Sequence, residues 1–407
     1  MSQLHILKQY NLIKINPSPE IWLKSMKVRM RMMKTLTINI KQSLNRATIP
    51  FHKYQLSNDS TRLFFFFNNE DIQKAIELLE NIFGIDSFSP TLRTSNNLKN
   101  IVQRTLEVCE DILVENDTFA IRVKRSGKHD YTSQDVAIKV GKAVLDHFSK
   151  LNLKVNLSNP IKRIFIEIRG DFSYIFTDII KSKWEGLPIE VNKKVCCMDV
   201  GRLNDLLAGF LLMRRGCNIY PILFKLTDYN NNLEIWINNW KEILAYIPHV
   251  RFKLRIINLL TILRKIWDNL ADKKYLCVMC RLLRFEIISR VLIGLQIEDF
   301  RRIEAITDGI SLNNLTLCPD IIDFESISIN YVFSKYPIFT PLIALESDEI
   351  NETTTKISKN FNTLDYCFFK PQNQEIHKER VLEIYNSLEL ENLISEAIKN
   401  MEEINIT

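Results

Sequence analysis

Apolar positions in the first 90 residues alternate between short continuous runs and longer stretches with helical spacing. A short apolar start leads into a basic helix predicted at about residues 19–45, and the phenylalanine-rich run at residues 62–67 predicts a strand. The polar residues 69–71 would cap a second helix that ends at about Leu79. The resulting order, β-α-β-β-α-β, is typical of a small ferredoxin-like domain.

The middle and later parts of the chain differ in the order of their predicted helices and strands. Residues 98–182 predict two helices, at about 98–114 and 133–149, among strands at about 118–123, 154–157, 163–169 and 172–179. From residue 193 onward, strands at 195–198 and 219–226 alternate with helices at 203–215 and 233–245. Such alternation indicates βαβ units and a parallel sheet, so we predict an α+β first part followed by an α/β domain.

The composition is that of a globular protein with several domains. The chain has 407 residues, of which 46% are hydrophobic and 25% charged, enough for two or three domains with their own cores. No apolar run reaches the roughly 18 residues that a membrane helix needs, and the first 20 residues lack the order of a signal peptide. We therefore expect a cytoplasmic protein without a membrane segment.

Charge is unevenly distributed along the chain. Residues 1–60 contain ten Lys and Arg against two acidic residues, whereas residues 375–407 contain eight acidic residues against three basic ones. The basic front half is the expected partner surface, and the acidic tail is predicted to form a single capping helix. The plainer interpretation, that these charges lie on ordinary solvated helix faces, stays open.

The densest group of cations follows a predicted strand. Six basic residues face two acidic ones between Phe119 and Lys142, and the turn contains Gly127. Basic side chains here could contact phosphates, and so could the backbone amides around the glycine and at the start of the next helix. His129 in this turn is either a phosphate donor or a turn residue bonded to the local backbone.

Several of these segments together resemble a known family. The run from Arg122 to His129, Arg-x-Lys-Arg-x-Gly-x-His, together with the closing strand at residues 164–169, resembles the THUMP domain of RNA-modifying enzymes. Upstream, the run 19–25 (PEIWLKS) resembles the opening of the tRNA 4-thiouridine synthases, and Gly186-Leu187-Pro188 matches another landmark of that family. The resemblance implies that the first two domains hold the acceptor end of tRNA. It also implies that the residues that contact tRNA are Lys24, Arg29, Arg122, Lys124, Arg125, Lys128 and His129.

The same resemblance predicts an ATP loop of the pyrophosphatase type after the strand at residues 195–198. Where the family has Ser-Gly-Gly-Ile-Asp-Ser, this chain has Val200-Gly201-Arg202-Leu203-Asn204-Asp205. The resemblance assigns ATP contacts to Gly201, Arg202 and Asp205 and a catalytic position to Asn204. Arg202 places a long side chain where backbone must approach phosphate, and the carboxylate of Asp205 would repel pyrophosphate. We therefore predict a degenerate loop.

Two further family segments on the nucleotide side also depart from their pattern. The family's Thr-Gly-Asp-Ser-Leu-Gly-Gln corresponds to residues 307–312, followed by Asn313-Asn314 in place of Gly-Gln. The family's Arg-Pro-Leu-Ile-Gly corresponds to residues 340–344. All three departures argue against ordinary ATP-dependent adenylation.

Three cysteines match positions that the family uses for sulfur chemistry. Cys277 and Cys280 form a Cys-x-x-Cys at the head of a predicted helix, and Cys367 lies where a third family cysteine lies. The resemblance implies either three ligands of an iron–sulfur cluster or carriers of persulfide sulfur. The alternative is a buried pair plus an unrelated single cysteine, as for the other cysteines, which lie among apolar residues.

The predicted organisation has four parts. They are a ferredoxin-like domain at residues 1–72, a THUMP domain at 73–182, an ATP-loop α/β domain at 183–375 and the acidic helix at 376–407. One hypothesis is a tRNA sulfurtransferase that uses ATP and receives sulfur from a donor protein, and the other is a tRNA-binding paralogue or partner subunit without adenylation. The resemblance also implies a homodimer. Methylation or deamination is disfavoured because the chain has no methyl-donor loop and no deaminase zinc motif.

Overall fold

The computed structural model describes residues 6–228, 230–249, 251–294, 303–312, 328–364, 367, 369 and 378–406. The chain forms two compact units, Met1–Leu187 and Pro188–Thr407, which we call unit 1 and unit 2. No helix within the described ranges is both long and apolar enough to cross a membrane.

Unit 1 contains a nine-stranded sheet with helices between its strands. The strands are β1 Leu12–Pro17, β2 Lys53–Leu56, β3 Leu63–Phe66, β4 Ile85–Ser95, β5 Thr118–Ser126, β6 Lys154–Val155, β7 Lys162–Arg169, β8 Phe172–Phe176 and β9 Ile180–Lys181. The helices are α1 Pro19–Trp22, α2 Met26–Arg46, α3 Ile72–Leu79, α4 Leu98–Ile112 and α5 Ser133–His147. The strand order is β2-β3-β1-β4-β8-β7-β5-β6, and β9 pairs with β4.

The expected βαββαβ unit is present, and its last helix and strand follow residue 72. It consists of β1, α2, β2, β3, α3 and the first half of β4, which pairs with β1. The second half of β4 pairs with β8 in the following unit. A domain border after residue 72 would separate α3 and β4 from the strands they complete, and the structure does not divide there.

The basic helix predicted at residues 19–45 is two helices. Ser18 accepts a hydrogen bond from the Glu20 amide at the start of α1, and α1 ends after a single turn. Ser25 occupies the N-cap position of α2, which then runs for 21 residues. The break leaves the side chains of Trp22 and Leu23 exposed.

Alternate residues of the sheet face two different environments. One set, including Ile13, Phe65 and Ile166, joins side chains of helices α2 to α5 in a single core. Because side chains alternate along a strand, their neighbours Leu12, Phe64 and Tyr174 point the other way, where they form a small cluster built from strands alone. Its rings include the stacked pair Phe64–Tyr174, with centroids 4.3 Å apart.

This second face is the inside of a strongly curled sheet. The Nζ of Lys14 on β1 lies 2.7 Å from Oε2 of Glu167 on β7, although β4 and β8 lie between these strands. Arg62 and Arg169 also form ion pairs with Glu167, and Arg169 forms a second ion pair with Asp59 at 2.6 Å. Burial acts to raise the pKa of Glu167, but the three cations outweigh it and lower that pKa to about 2.

Unit 2 is an α/β layer arrangement, as the sequence predicts. Its strands are β10 Lys194–Asp199, β11 Asn218–Lys225, β12 Lys253–Asn258, β13 Ile303–Thr307, β14 Ile338–Phe339 and β15 Glu402–Asn405. Its helices are α6 Leu203–Arg214, α7 Asn230–Ile243, α8 Leu260–Asn269, α9 Leu276–Gly294, α10 Ser347–Ile357, α11 Lys378–Ser387 and α12 Glu391–Lys399. The strand order is β14-β13-β10-β11-β12-β15, parallel except for β15.

The acidic tail differs from the single capping helix we predicted. It contains two helices, α11 and α12, separated at residues 388–390, where Glu389 has a φ of 47°. That left-handed conformation cannot continue an α-helix. The chain then adds β15 antiparallel to β12, so the tail supplies an edge strand of the sheet as well as helices.

Candidate RNA groove and nucleotide loop

A groove of about 490 Å³ lies on unit 1. It is lined by five cations, Lys14, Arg62, Arg122, Lys124 and Arg163, against the single carboxylate of Glu167, and by Phe165 and Phe176. The two phenylalanine rings stack with centroids 5.2 Å apart. Lys14 is buried by the sheet and faces the Phe176 ring at 3.7 Å, whereas Arg122, Lys124 and Arg163 are exposed. The groove is therefore positively charged at its solvent side and aromatic within.

Two of the predicted docking residues, Arg122 and Lys124, line this groove because they alternate with buried residues along β5. The prediction did not include Lys14, Arg62 or Arg163. Arg163 pairs in register with Ala120 on β5, and this pairing is what brings it next to Arg122. The sequence predicted both strands, but not that they pair in this register.

The turn after β5 is held by its own backbone. Gly127 has a φ of 97°, a left-handed conformation that favours glycine, and the His129 ring nitrogen lies 3.2 Å from the Ser126 carbonyl oxygen. Arg125 donates to the His129 carbonyl at 3.5 Å, and Lys128 is exposed. His129 therefore takes the role of the turn residue, one of the two alternatives drawn from the sequence.

The N-terminus of α5 is capped from within. Thr132 accepts a hydrogen bond from the Asp135 amide at 3.1 Å, and Asp135 accepts one from the Thr132 amide at 2.8 Å. This capping box uses two of the amides that were candidates for holding a phosphate.

The remaining predicted docking residues lie at the junction of α1 and α2. Lys24 is exposed, and the Arg29 guanidinium lies over the Trp22 ring, 4.7 Å from its centroid. Trp22 is about half exposed, so one cation and one ring form a small surface platform here.

In unit 2, the loop between β10 and α6 is closed around the carboxylate of Asp205. Its Oδ2 accepts from the Val200 amide at 3.0 Å and from Arg202 Nε at 3.1 Å. Its Oδ1 accepts from Arg202 Nη2 at 2.6 Å and from the Gly309 amide at 3.2 Å. All of these groups are buried, and Asn204 in the same helical turn is buried too.

A second carboxylate, which the sequence did not single out, fixes the end of β10. Asp199 accepts hydrogen bonds from the Gly201 amide at 2.6 Å and from the indole nitrogens of Trp236 and Trp240 at 2.7 and 2.8 Å. Burial, reinforced by the nearby charge of Asp205, raises the pKa of Asp199 to about 7, against the effect of these donors. The carboxylate holds α7 against β10.

The segment after β13 covers the start of α6. Asp308 is buried, and its Oδ1 lies 3.6 Å from Arg202 Nη2 and accepts from the Ile310 amide. Burial raises the pKa of Asp308, although Arg202, Arg284 and Arg281 oppose the shift. The Ile306 amide donates to the Pro337 carbonyl at 2.9 Å, and the Asp308 amide donates to the Phe339 carbonyl at 3.1 Å. These bonds connect the segment to the strand that precedes residues 340–344. Asn313 and Asn314 lie outside the described residues.

The three cysteines predicted to handle sulfur are buried or half-buried. Cys277 is half-buried in the first turn of α9, Cys280 is buried one turn further, and Cys367 is half-buried. No group of three or more His, Cys, Asp or Glu side chains within the described ranges, which include these cysteines, is placed to hold a metal ion.

Unit 1 combines a βαββαβ part and a second α+β part on one curled sheet, and unit 2 is a parallel-sheet domain with a loop at a helix N-terminus. This is the architecture expected of the THUMP-containing class of RNA-modifying proteins. Family models match all three parts: the ThiI ferredoxin-like domain at residues 12–89, the THUMP domain at 95–178 and the thiamine biosynthesis protein (ThiI) at 191–390. A probable tRNA sulfurtransferase of Saccharolobus islandicus (strain M.16.27) is 31% identical over 401 residues, covering 97% of this chain and 96% of the relative. The chain belongs to the tRNA sulfurtransferase family.

Other relatives agree with this assignment. A probable tRNA sulfurtransferase of Saccharolobus solfataricus is 30% identical and covers 88% of this chain and 90% of that relative. Among solved structures, a 4-thiouridine synthetase in complex with RNA and ATP has a TM-score of 0.78 at 20% identity and covers 98% of this chain and 100% of that one. At that identity the likeness establishes the fold, and the predicted architecture is confirmed.

Proposed function

We propose that this chain binds tRNA through the groove of unit 1, as part of tRNA uridine thiolation. The observation that carries the proposal is the lining of the groove, with five cations against one carboxylate and two stacked rings. Cations bind phosphates. The two rings, one half-buried and one buried, stack on each other and form the apolar floor beneath the cations. The names of the relatives and of the RNA-bound structural neighbour point to the same ligand.

Within this proposal, the exposed cations Arg122, Lys124 and Arg163 contact the RNA backbone. Arg125 and Lys128 in the adjoining turn, and Lys24 and Arg29 at the start of α2, extend the contact surface. His129 shapes the turn and acts only indirectly.

The test measures the affinity for unmodified tRNA by filter binding over a range of salt concentrations. The double variant Lys124→Ala/Arg163→Ala is expected to bind about tenfold more weakly and to lower the slope of log K against log salt by about two. The control Lys74→Ala/Lys150→Ala removes two exposed lysines outside the groove. Equal losses in both variants would mean that the groove has no special role.

For the chemical step, the family suggests ATP-dependent thiolation, in which Cys277, Cys280 and Cys367 would handle sulfur from a donor protein. ATP is a ligand of the structural neighbour, and for this chain it is part of the proposal only. A homodimer and a cytoplasmic location complete this proposal.

A second candidate is tRNA binding without adenylation, favoured by the buried bonds of Asp205 in the nucleotide loop. Mass spectrometry of tRNA from cells with and without the gene separates the two candidates. Loss of 4-thiouridine on deletion supports the sulfurtransferase, and an unchanged level supports the binding protein.

A further inference from the structure

The strongest unexplained feature of the molecule is the closed loop at residues 200–205. A loop that joins a parallel strand to a helix N-terminus is a general anion site, because several amides and the helix dipole point into it. Here the same place holds a protein carboxylate. We propose that Asp205, locked by Arg202, occupies the position of a nucleotide phosphate, so that unit 2 of this chain does not bind ATP. This inference concerns unit 2 and is independent of tRNA binding by unit 1. It rests on the second candidate function, tRNA binding without adenylation, and is incompatible with ATP-dependent thiolation by this chain.

The hydrogen bonds of Asp205 account for its whole accepting capacity. The two oxygens accept four N–H bonds, from the Val200 and Gly309 amides and from two nitrogens of Arg202. An ionised carboxylate has about four such sites. The donors are the kind that would otherwise bind a phosphate, two loop amides and a guanidinium, so a phosphate would have to displace Asp205 from all of them.

The space in front of the helix is also filled. A Cβ on Gly309 would lie 2.4 Å from the carbonyl carbon of Asn204 and 2.4 Å from the amide nitrogen of Asp205. The backbone at residue 309 is therefore in direct contact with the first turn of α6. No phosphate group fits between these two segments while they stay in contact.

Charge opposes a phosphate as well. Asp199, Asp205 and Asp308 are all buried at this place, each at 1% exposure. Within the part of the chain that the structure describes, Oδ2 of Asp308 is buried without a hydrogen-bond partner. A pyrophosphate would bring further negative charge next to the carboxylate that Arg202 holds, and like charges in a buried site repel. The raised pKa values of Asp199 and Asp308 make their share of this repulsion smaller.

The first test is equilibrium dialysis of the full chain with labelled ATP and Mg²⁺, and separately with inorganic pyrophosphate. We expect no saturable binding up to on the order of 1 mM, which corresponds to a binding free energy weaker than about −4 kcal/mol. Hydrogen exchange of the Val200 and Gly309 amides, which report the Asp205 bonds directly, should not change when ATP is added. Saturable ATP binding with altered exchange at these two amides would overturn the proposal.

The second test opens the loop. The double variant Arg202→Gly/Asp205→Ser removes the cation and the carboxylate together, so this pair leaves no buried charge behind. It is expected to bind pyrophosphate at least tenfold more tightly than the unchanged chain. A folded double variant, as judged by circular dichroism, that shows no gain would also overturn the proposal, because Asp205 would then not be what excludes the ligand.

The matched control repeats the substitutions on an exposed pair with the same spacing. Arg380→Gly/Glu383→Ser removes an i, i+3 pair on α11 whose side chains are more than half exposed, and it should leave pyrophosphate binding unchanged. Affinity for tRNA is measured for every variant. If tRNA binding fails in the unchanged chain, the proposed function fails, whereas the inference on the loop stands or falls with the nucleotide data alone.

Discussion

At the scale of single residues, Arg202 is the side chain whose substitution should have the largest effect on unit 2. It is 7% exposed and forms a two-pronged ion pair with Asp205 and a longer contact with Asp308. Arg202→Met keeps most of the volume but leaves both carboxylates without this cation. Breaking a buried pair in this way costs roughly 3–5 kcal/mol, so we expect a loss of that size in the free energy of unfolding.

Urea unfolding followed by tryptophan fluorescence checks this prediction, because Trp236 and Trp240 are buried beside Asp199 in the same unit. Arg380→Met is the control: its pair with Glu383 is exposed and should contribute under about 1 kcal/mol. If the two variants lose equal free energy of unfolding, the buried ion pair between Arg202 and Asp205 contributes no more to stability than an exposed one.

The acid stability of unit 1 should depend on Glu167. Its pKa is lowered to about 2 in the fold by Lys14, Arg62 and Arg169, against burial, and the pKa would return to its ordinary value near 4.5 on unfolding. Between these values the unfolded chain binds more protons, so stability is present above pH 4.5 and is lost as the pH falls to 2. Lys14, whose pKa burial lowers to about 8, stays charged throughout this window.

The measurement is urea unfolding of the full chain at several pH values, compared with Glu167→Gln. The decrease in the free energy of unfolding between pH 4.5 and pH 2 should be smaller in the variant by on the order of 3 kcal/mol. Asp59, whose pKa is also lowered by its partners, titrates in the same region and remains in both proteins. Glu77→Gln, an exposed substitution on α3, should keep the pH profile of the unchanged chain.

At the scale of elements, β15 should be needed to complete the sheet of unit 2. It pairs with β12, and Glu403 on β15 bonds to Arg255, which is 1% exposed, at 2.9 Å. A chain ending at Lys399 would expose the edge of β12, and an unpaired edge promotes association between molecules. We expect a lower thermal midpoint and oligomers in size-exclusion chromatography.

Glu402→Gln serves as the control for this truncation, because Glu402 is an exposed residue of the same strand. It should remain monodisperse to the same extent as the unchanged chain. A truncated chain that matches the unchanged chain in both measurements would show that β15 is dispensable.

Sequence patterns predicted local elements better than the partners of those elements. The apolar pattern predicted the strand that carries Arg122, although β5 runs on through Lys124 to Ser126. Strand–helix alternation predicted the parallel sheet of unit 2. The composition of the tail indicated one helix, because nothing in it signals the left-handed Glu389 or the pairing of β15 with a strand about 150 residues away. The Asp205 carboxylate was predicted at the helix N-terminus, but its bonds to Val200 and Gly309 depend on tertiary contacts that the sequence does not display.

At the scale of the whole molecule, the two units should divide the functions between them. Unit 1 has its own continuous core, which includes helices α2 to α5 and the sheet, and it contains the whole groove. A fragment of residues 1–187 is therefore expected to fold, with cooperative thermal unfolding by circular dichroism. The fragment should also bind tRNA, since all the proposed phosphate contacts lie in it.

The salt dependence of binding decides whether that division is correct. The seven proposed docking cations offer up to seven phosphate contacts, which predict a slope of log K against log salt of about −5 to −6 for both the fragment and the full chain. They are Lys24, Arg29, Arg122, Lys124, Arg125, Lys128 and Arg163. Each contact releases a similar number of counterions, so a shared slope means a shared set of contacts. A folded fragment whose slope is shallower by two or more would place part of the RNA contact on residues 188–407.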